Sequence, residues 1–445
     1  MSQQSPTRVS STANRIPIFA LLGANAVSQV GDMMVAVAMP WFVLETTGSA
    51  ARTGLTGATI GVGAILAAVL GGPLVDRFGF RRASVLGDLA SGATVAAIPL
   101  LYWAGVLAFW QFLVLVFLVS ILNAPGDLAR RALIPALARQ ATMPIERANA
   151  ADTAIPRFSQ LAGPVLGGVL IALIGASSVL LLDAGTFLIS AALVLVWVAV
   201  PSGVSAGAKD EAKGERDHHV SHRHGRQLFG HPALLRDPVR RYLSELTDGL
   251  RLVRTNALLL SVVLIATVAN FLEKPLMSVV APVYADTFYG SAASLGAMLG
   301  AFGAGALAGT LLFGAVGHRL PRRLTFLSCL VIAPLLLFGT LAATPPLPVV
   351  LAAVAISGLI FGPTNSLFAT VIQENTPPQM LGRVFGAITA LAMAGIPLGA
   401  VLAGFVVEGV GLVPTIVGMG AIYLAVTVGM FFNPALRQME ASAGR

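Results

Sequence analysis

The chain has 445 residues, of which 56% are hydrophobic and only 11% are charged, and its mean hydropathy is +0.83. Soluble proteins contain about 25% charged residues, so this composition excludes an ordinary soluble protein and indicates one surrounded mainly by lipid. The net charge of +8 does not indicate a nucleic-acid partner, because the basic residues are concentrated in alternate loops between apolar segments.

Apolar stretches of roughly 20 residues, enough to cross about 30 Å of hydrocarbon, recur along almost the whole chain. Backbone polar groups in lipid need partners within their own segment, so the stretches are predicted to be helices, and the alternating pattern of a membrane barrel is absent. The sequence therefore predicts an all-α membrane protein of twelve helices in two six-helix bundles. The predicted helices are residues 18–44, 52–75, 83–103, 107–129, 152–174, 177–200, 256–284, 292–316, 323–343, 346–372, 381–407 and 411–432.

One long polar segment separates the two sets of six helices. Its first part is small, charged and His-rich, which predicts a flexible tether rather than a metal site. Its later part predicts an amphipathic helix on the cytoplasmic leaflet. The expected domains are an N-terminal tail (1–16), an N-terminal bundle (17–200), the linker (201–255), a C-terminal bundle (256–433) and a C-terminal tail (434–445).

The basic residues predict the orientation of the chain. They follow the second, fourth, eighth and tenth predicted helices, whereas the intervening loops hold essentially only Arg52. Positive residues remain on the cytoplasmic side of a membrane, so both termini are expected in the cytoplasm of a bacterium, with the chain in its inner membrane.

An internal repeat indicates a duplicated transporter. Residues 71–87 read GGPLVDRFGFRRASVLG, and residues 313–328 read FGAVGHRLPRRLTFLS after the corresponding helix of the second half. The alignment that pairs Arg81 with Arg322 also pairs Asp32 with Glu273. Many secondary transporters are built from such repeats, with the binding site at their interface.

Asp32 and Glu273 are the first candidates for function. A carboxylate at the centre of a membrane helix costs roughly 2.5–3.5 kcal/mol, so it is expected to face the interior of the bundle and to act there. We predict that both acids line a central cavity and that one or both bind the coupling proton or a cationic group of the substrate. The alternative is a fixed polar contact for each; Lys274 is expected to contact another helix or to reach towards the interface rather than to pair with Glu273.

A polar stripe surrounds the first of these acids. Asn25, Ser28 and Gln29 precede Asp32 at helical spacing. Such a stripe either faces a wet cavity or joins helices, and we predict the cavity because four polar groups exceed what one contact needs. Asn123 and Asn270 are further candidates for the cavity wall.

A charged cluster at the cytoplasmic helix ends predicts a latch between the halves. Asp76 is expected to pair with a neighbouring arginine and to meet the positive end of the eleventh helix near Gly382. The alternative is that the arginines only set the orientation, which leaves the acids unexplained. The residues of this predicted latch cluster are Asp76, Arg77, Arg81, Asp88, Asp127, Arg130 and Arg131.

Two motifs resemble those of the major facilitator superfamily. Gly72-x3-Asp76-Arg77-x-Gly79-x-Arg81-Arg82 resembles the hairpin between helices two and three, and Gly163-Pro164-x2-Gly167-Gly168 is similar to the motif of the antiporters. The hairpin departs from the family pattern at Phe80, and its second copy has Gly317 in place of Asp76. From the residues alone, the Gly-Pro motif is expected to bend or thin the fifth helix.

Further segments narrow the resemblance to the drug-exporter branch that contains macrolide-efflux proteins and the enterobactin exporter. They are GDMMVAVAMPWFVLETTGS, Ala148-Asn149 and Gly382-Arg383-Val384. The resemblance implies two bundles that rock about a central cavity with proton coupling, and it implies the latch role for the hairpin with Gly72, Gly79 and Arg82.

The predicted function is proton-coupled export of an amphipathic drug, a macrolide-like antibiotic or a natural product such as a siderophore, by alternating access in a monomer. No phosphate-binding GxxxxGK[ST] loop and no catalytic Ser/His/Asp set is present, so neither ATP-driven transport, nor an enzyme, nor a cofactor is expected. Two alternatives are an importer of a small polar nutrient and a receptor or scaffold that does not transport.

Overall fold

The computed structural model describes residues 14–198 and 247–437. These ranges contain twelve helices long and apolar enough to cross a membrane, which confirms the predicted all-α membrane class. In chain order, α1 to α12 are Ile16–Thr47, Ala50–Phe78, Phe80–Trp103, Phe109–Gln140, Ile145–Ile174, Ala176–Trp197, Ala257–Tyr289, Ala292–Val316, Arg322–Ala342, Leu347–Glu374, Leu381–Val410 and Leu412–Phe431.

Short connections make successive helices antiparallel. A single residue, Gly79, separates α2 from α3; its φ of +77° is a conformation that residues with a side chain rarely adopt. Between α1 and α2, Gly48 at φ +63° ends the first helix and the Ser49 hydroxyl caps the second. Because the number of helices is even, α1 begins and α12 ends on the same side of the membrane, here called the terminal side.

Two helices of the C-terminal half are irregular. In α7, Pro275 lacks the N–H of a regular helix and is followed by a π-helical turn at Leu276–Val280, which the Ala281 N–H closes onto the Leu276 carbonyl. In α10, the helix is interrupted at Gly362 before Pro363. The irregular turn of α7 directly follows Glu273 and Lys274.

The two halves meet through α2 against α11 and through α5 against α8. A Cβ on Gly168 would lie 2.6 Å from the Ala292 carbonyl oxygen and 2.8 Å from the Gly296 Cα atom, so only glycine allows this approach of α5 to α8. Gly163 and Gly167 face Met33 and Met34 of α1 in the same way. The structure therefore uses the Gly-Pro motif to thin α5 between α1 and α8, within an uninterrupted helix.

These contacts between halves lie on the side opposite to the termini. In α2, Gly57 and Gly61 lie in the first half of the helix, against Ala400 and Pro397 in the second half of α11. Towards the terminal side, a Cβ on Gly72 or Gly382 would meet no described atom within 4 Å beyond its own helix backbone. The halves are thus in contact on the opposite side, whereas neither Gly72 nor Gly382 takes part in such a close contact on the terminal side.

The described end of the linker packs on α11. Residues 247–255 are helical, and the Arg383 guanidinium at the start of α11 lies 3.4 Å from the Asp248 carboxylate. The predicted tether and the first part of the predicted amphipathic helix, residues 201–246, lie outside the described residues, as do the ends of both tails.

Substitution of Gly168 by Ala is expected to destabilise the protein, because the added Cβ meets backbone atoms of α8 that have no flexible end to move. Overpacking of this kind costs about 1–3 kcal/mol, which thermal unfolding in detergent detects as a lower Tm. Gly185→Ala is the matched control, since a Cβ there meets no described atom within 4 Å. Equal Tm values for the two variants would contradict the close contact.

Candidate functional site

Asp32 lies in a polar cluster inside the N-terminal half. The Asn123 amide of α4 donates to both Asp32 carboxylate oxygens at 3.1 Å. Beside it, Gly31 lacks a side chain, and Asp183 and Thr186 of α6 occupy that space. Asp183 is buried and accepts from the Thr186 hydroxyl at 3.1 Å. A second carboxyl group therefore lies against α1 at the residue next to Asp32, and the sequence analysis missed it.

The polar stripe of α1 is joined to α5 through Asn25. Asn25 is buried and donates to the Asp152 carboxylate of α5 at 3.0 Å, and Gln29 donates to the Asn25 carbonyl at 3.2 Å. Ser28 is fully buried. In this conformation both Asn25 and Ser28 are buried, and that they line a cavity stays a prediction.

Two acids of the predicted latch cluster, Asp88 and Asp127, are bound inside the N-terminal half by Arg130. Its guanidinium donates to the Asp88 carboxylate at 2.7 and 2.8 Å and also to Asp127, and Ser190 donates to Asp88 at 2.6 Å. Arg130 is 1% exposed, whereas the neighbouring Arg131 is exposed. These residues tie α3, α4 and α6 together, and Arg130 rather than Arg131 binds the two acids. The described contacts of Asp88 and Asp127 lie within their own half, so their part in a latch between the halves stays a prediction.

The arginines of the hairpin also contact their own half. Arg81 donates to the Leu195 carbonyl near the end of α6 at 2.5 Å, where the helix dipole favours a cation. Arg77 and Arg82 are exposed, and Gly72 has open space beside it. The Asp76 side chain lies outside the described part of the structure, so its contact with α11 stays a prediction.

In the second half, Arg323 donates to the Phe431 carbonyl at the end of α12 at 2.9 Å. Arg81 makes a similar contact with the end of α6, although the alignment pairs Arg323 with Arg82 rather than with Arg81. Next to it, Arg322 pairs with Glu374 of α10 at 2.7 Å. Both hairpins therefore stabilise the bundle to which they belong.

Three polar residues lie together near the middle of α7. Asn270 donates to the Ala392 carbonyl of α11 at 3.2 Å. The Glu273 carboxylate accepts from the Tyr423 hydroxyl of α12 at 2.7 Å. Lys274, directly before Pro275, is exposed and does not pair with Glu273 within salt-bridge distance, in line with the expectation for this side chain.

A cavity of about 280 Å³ lies beside these residues in the C-terminal half, between α7, α9, α10 and α11. A smaller cavity of about 80 Å³ shares Glu273, Lys274 and Phe361 with it. The walls of the larger cavity are mainly apolar with a few polar groups, which is the usual character of a small-molecule site. The side chains that give the larger cavity this character are Asn270, Glu273, Lys274, Thr364, Asn365 and Thr389 among the polar residues and Phe326, Phe361, Phe368 and Met393 among the apolar ones.

The structure does not bring the two predicted acids to one cavity wall. Glu273 lines both cavities, whereas Asp32 lines neither and is bound by Asn123 within the N-terminal half. Each acid has a hydrogen-bond donor from another helix of its own half. Asn270 lies in the cavity wall with Glu273, and Asn123 lies with Asp32.

A contact that the sequence analysis missed closes the opposite side. The Glu408 carboxylate near the end of α11 accepts from the Ser49 hydroxyl at 2.7 Å and from the Ala51 N–H at 2.9 Å. A carboxylate is favourable at a helix N-terminus, here that of α2. Glu408 thus joins the two halves on the side where their glycines meet. In sequence it stands near the end of an apolar helix, which does not distinguish a contact from a solvated acid.

Among the described residues, no group of three or more His, Cys, Asp or Glu side chains is placed to hold a metal ion. The polar groups of the cavity are suited instead to binding and orienting a small molecule. Twelve membrane helices, halves that touch on one side, and a cavity with charged groups at mid-membrane define a membrane transporter.

Comparison with known proteins gives the family. The sequence profile of the Major Facilitator Superfamily matches residues 21–389 and, in a second match, residues 259–444. The chain belongs to this superfamily. The multidrug efflux pump Tap of Mycobacterium tuberculosis is 31% identical over 431 residues, which cover 96% of each protein.

Two further likenesses agree with this placement. Macrolide efflux protein A of Streptococcus pyogenes is 22% identical over 409 residues, covering 89% of this chain and 91% of that protein. Among solved structures, the nucleoside transporter NupG superposes with a TM-score of 0.67 at 15% identity, covering 95% of this chain and 98% of that one. The likeness to NupG concerns the fold alone. The relatives confirm the predicted drug-exporter branch.

Removal of Arg130 is expected to destabilise the N-terminal half, because Asp88 would remain buried without its cation. Breaking a buried pair in this way costs about 3–5 kcal/mol, so Arg130→Met should lower the Tm and the yield of monodisperse protein in detergent. Arg131→Met is the matched control with an exposed side chain, and Asp88→Asn combined with Arg130→Met should recover part of the loss. An Arg130→Met protein as stable as Arg131→Met would contradict this assignment.

Proposed function

We propose that this transporter exports amphipathic molecules from the bacterial cytoplasm across the inner membrane, as a monomer, in exchange for protons. The cargo class includes drugs, macrolide-like antibiotics and natural products such as siderophores. Two relatives named as efflux proteins support export, and both align with nearly the whole chain.

The observation that carries the proposal is the cavity between α7, α9, α10 and α11. Phe326, Phe361 and Phe368 offer apolar and aromatic surface, while Asn365 and Thr389 offer hydrogen bonds. An amphipathic molecule satisfies both kinds of wall at once. A sugar or another small polar nutrient would leave the aromatic surface uncovered, so the importer alternative has less support from these residues.

The conformation fits the loading step of an exporter. The arginines of both hairpins lie on the terminal side, which the positive-inside rule assigns to the cytoplasm. The halves are in contact on the opposite side through Glu408 and the glycines of α2, α5, α8 and α11. In this orientation the site would receive cargo from the cytoplasm and lipid while it is closed to the exterior.

Proton coupling is assigned to Asp32 and Glu273. Each is a carboxyl group at mid-membrane with a single kind of neutral donor, Asn123 for the first and Tyr423 for the second. A neutral donor tolerates both the charged and the protonated acid, whereas the salt bridge of Asp88 with Arg130 fixes the charged form. These two acids are therefore better suited to exchange a proton than Asp88.

The test measures dye transport in everted membrane vesicles with an imposed proton gradient. Asp32→Asn and Glu273→Gln remove the exchangeable proton and should reduce gradient-driven uptake to the rate of vesicles without the protein. Exchange of labelled for unlabelled dye without a gradient should persist, because it needs no net proton movement. Asp286→Asn, at the exposed far end of α7, is the matched control and should transport normally.

Full gradient-driven uptake by both variants would end the assignment of proton coupling. Everted vesicles that show no uptake with the unmodified protein, together with higher dye entry into intact cells, would indicate the importer. No effect of the protein on either measurement would indicate the receptor or scaffold.

A further inference from the structure

Lys274 is a cation near the middle of a membrane helix without a structural partner. It is the only lysine among the described residues, and it lies close to the centre of α7, Ala257–Tyr289. A charged side chain at this depth is costly unless it is paired or reaches water. Lys274 is exposed and lines both cavities, so its charge lies where a ligand would bind.

The neighbouring acid, Glu273, forms no salt bridge with this ammonium group. Within the described part of the chain, no carboxylate oxygen lies within 4.0 Å of the Lys274 ammonium, and no side chain hydrogen-bonds to it. The Ser278 hydroxyl donates to the backbone carbonyl of Lys274, at 3.0 Å, and not to its side chain. The Glu273 carboxylate instead accepts from Tyr423. The positive charge thus remains available to a group inside the cavity.

Two hydroxyl groups in the cavity walls also have no partner. Thr364 lines the larger cavity and is 7% exposed, and Ser357 lines the smaller one and is 1% exposed. Neither hydroxyl oxygen has a hydrogen bond among the described residues. A buried hydroxyl without a partner is unfavourable, so a ligand that accepts from these donors would relieve the cost.

We propose that Lys274 binds a carboxylate of the transported molecule, with the hydroxyl of Thr364 or Ser357 as an additional donor. Ammonium and hydroxyl groups are all donors, and an anionic oxygen group is the complement that satisfies them together. The aromatic walls then take the apolar body, so the cargo is an amphipathic carboxylic acid. This inference rests on the proposed function, because it names the substrate class of the same cavity.

The experiment compares rhodamine B, which carries a free carboxylate, with its methyl ester, which does not. Binding of each dye to the purified full-length protein is measured by fluorescence polarisation, and transport is measured separately in everted vesicles. Lys274→Gln removes the charge, Lys274→Arg keeps it, and Leu264→Ala is the control on an exposed face of the same helix. A charge-assisted hydrogen bond corresponds to a change in Kd of roughly tenfold or more.

The expected result is that Lys274→Gln weakens binding of rhodamine B about tenfold and leaves binding of the ester within about twofold. Lys274→Arg and Leu264→Ala should bind both dyes like the unmodified protein. Unchanged ester binding shows that the variant is folded.

Equal weakening of both dyes, no effect on either, or failure of the unmodified protein to bind rhodamine B would overturn the inference. Selective loss of binding without any dye transport in vesicles would instead reject the proposed export and leave the carboxylate site standing.

Discussion

The cost of a charged side chain inside the membrane is the constraint on which the rest of this structure depends. The two halves of the protein offset this cost in different ways. In the N-terminal half, Arg130 is enclosed and bound to Asp88 and Asp127, so charge is neutralised by charge in a fixed position. In the C-terminal half, Lys274 faces a cavity and depends on water or a ligand. The first arrangement stabilises a bundle, and the second makes a binding site.

The contacts between the halves are also unequal, because they are concentrated on one side of the membrane. Close backbone approaches at Gly168 and Gly57, together with the Glu408 contact, hold the side opposite to the termini. Because glycine contacts involve little side-chain interdigitation, the helices that make them can separate without repacking a core. The polar clusters inside each half would move with their own helices. Contacts that can separate between the halves, together with polar clusters that move with their own half, are what the rocking of two bundles requires.

The fold could be predicted from the sequence because lipid allows few solutions. Long apolar segments must be helices, and their length and number follow from hydropathy. The wall of the cavity was partly predictable too: a carboxylate in α7 had to face the interior, and Glu273 lies there with Asn270. The same rule applied to α6 would have found Asp183.

The remainder of the site depended on information that spacing does not contain. A polar stripe such as that of Asn25 and Ser28 looks the same whether water or another helix lies beside it. Adjacent arginines point about 100° apart on a helix, so sequence did not decide that Arg130 would be enclosed and Arg131 exposed. Lys274 was expected to contact another helix or to reach towards the interface. Its place in a cavity wall could not be predicted, because that cavity arises from the packing of α9, α10 and α11 against α7.

The central claim is that the cavity beside Lys274 opens to the cytoplasm and holds the cargo, and cysteine labelling tests it most directly. The chain has one cysteine, Cys329, so Cys329→Ser gives a background for Asn365→Cys in the cavity and for Asp286→Cys at the far end of α7. With a membrane-impermeant maleimide, Asn365→Cys should react in everted vesicles and not in right-side-out vesicles, and excess rhodamine B should slow the reaction. Asp286→Cys should show the reverse sidedness. Labelling of Asn365→Cys only from the exterior, or at a rate that an exported dye does not change, would contradict the account.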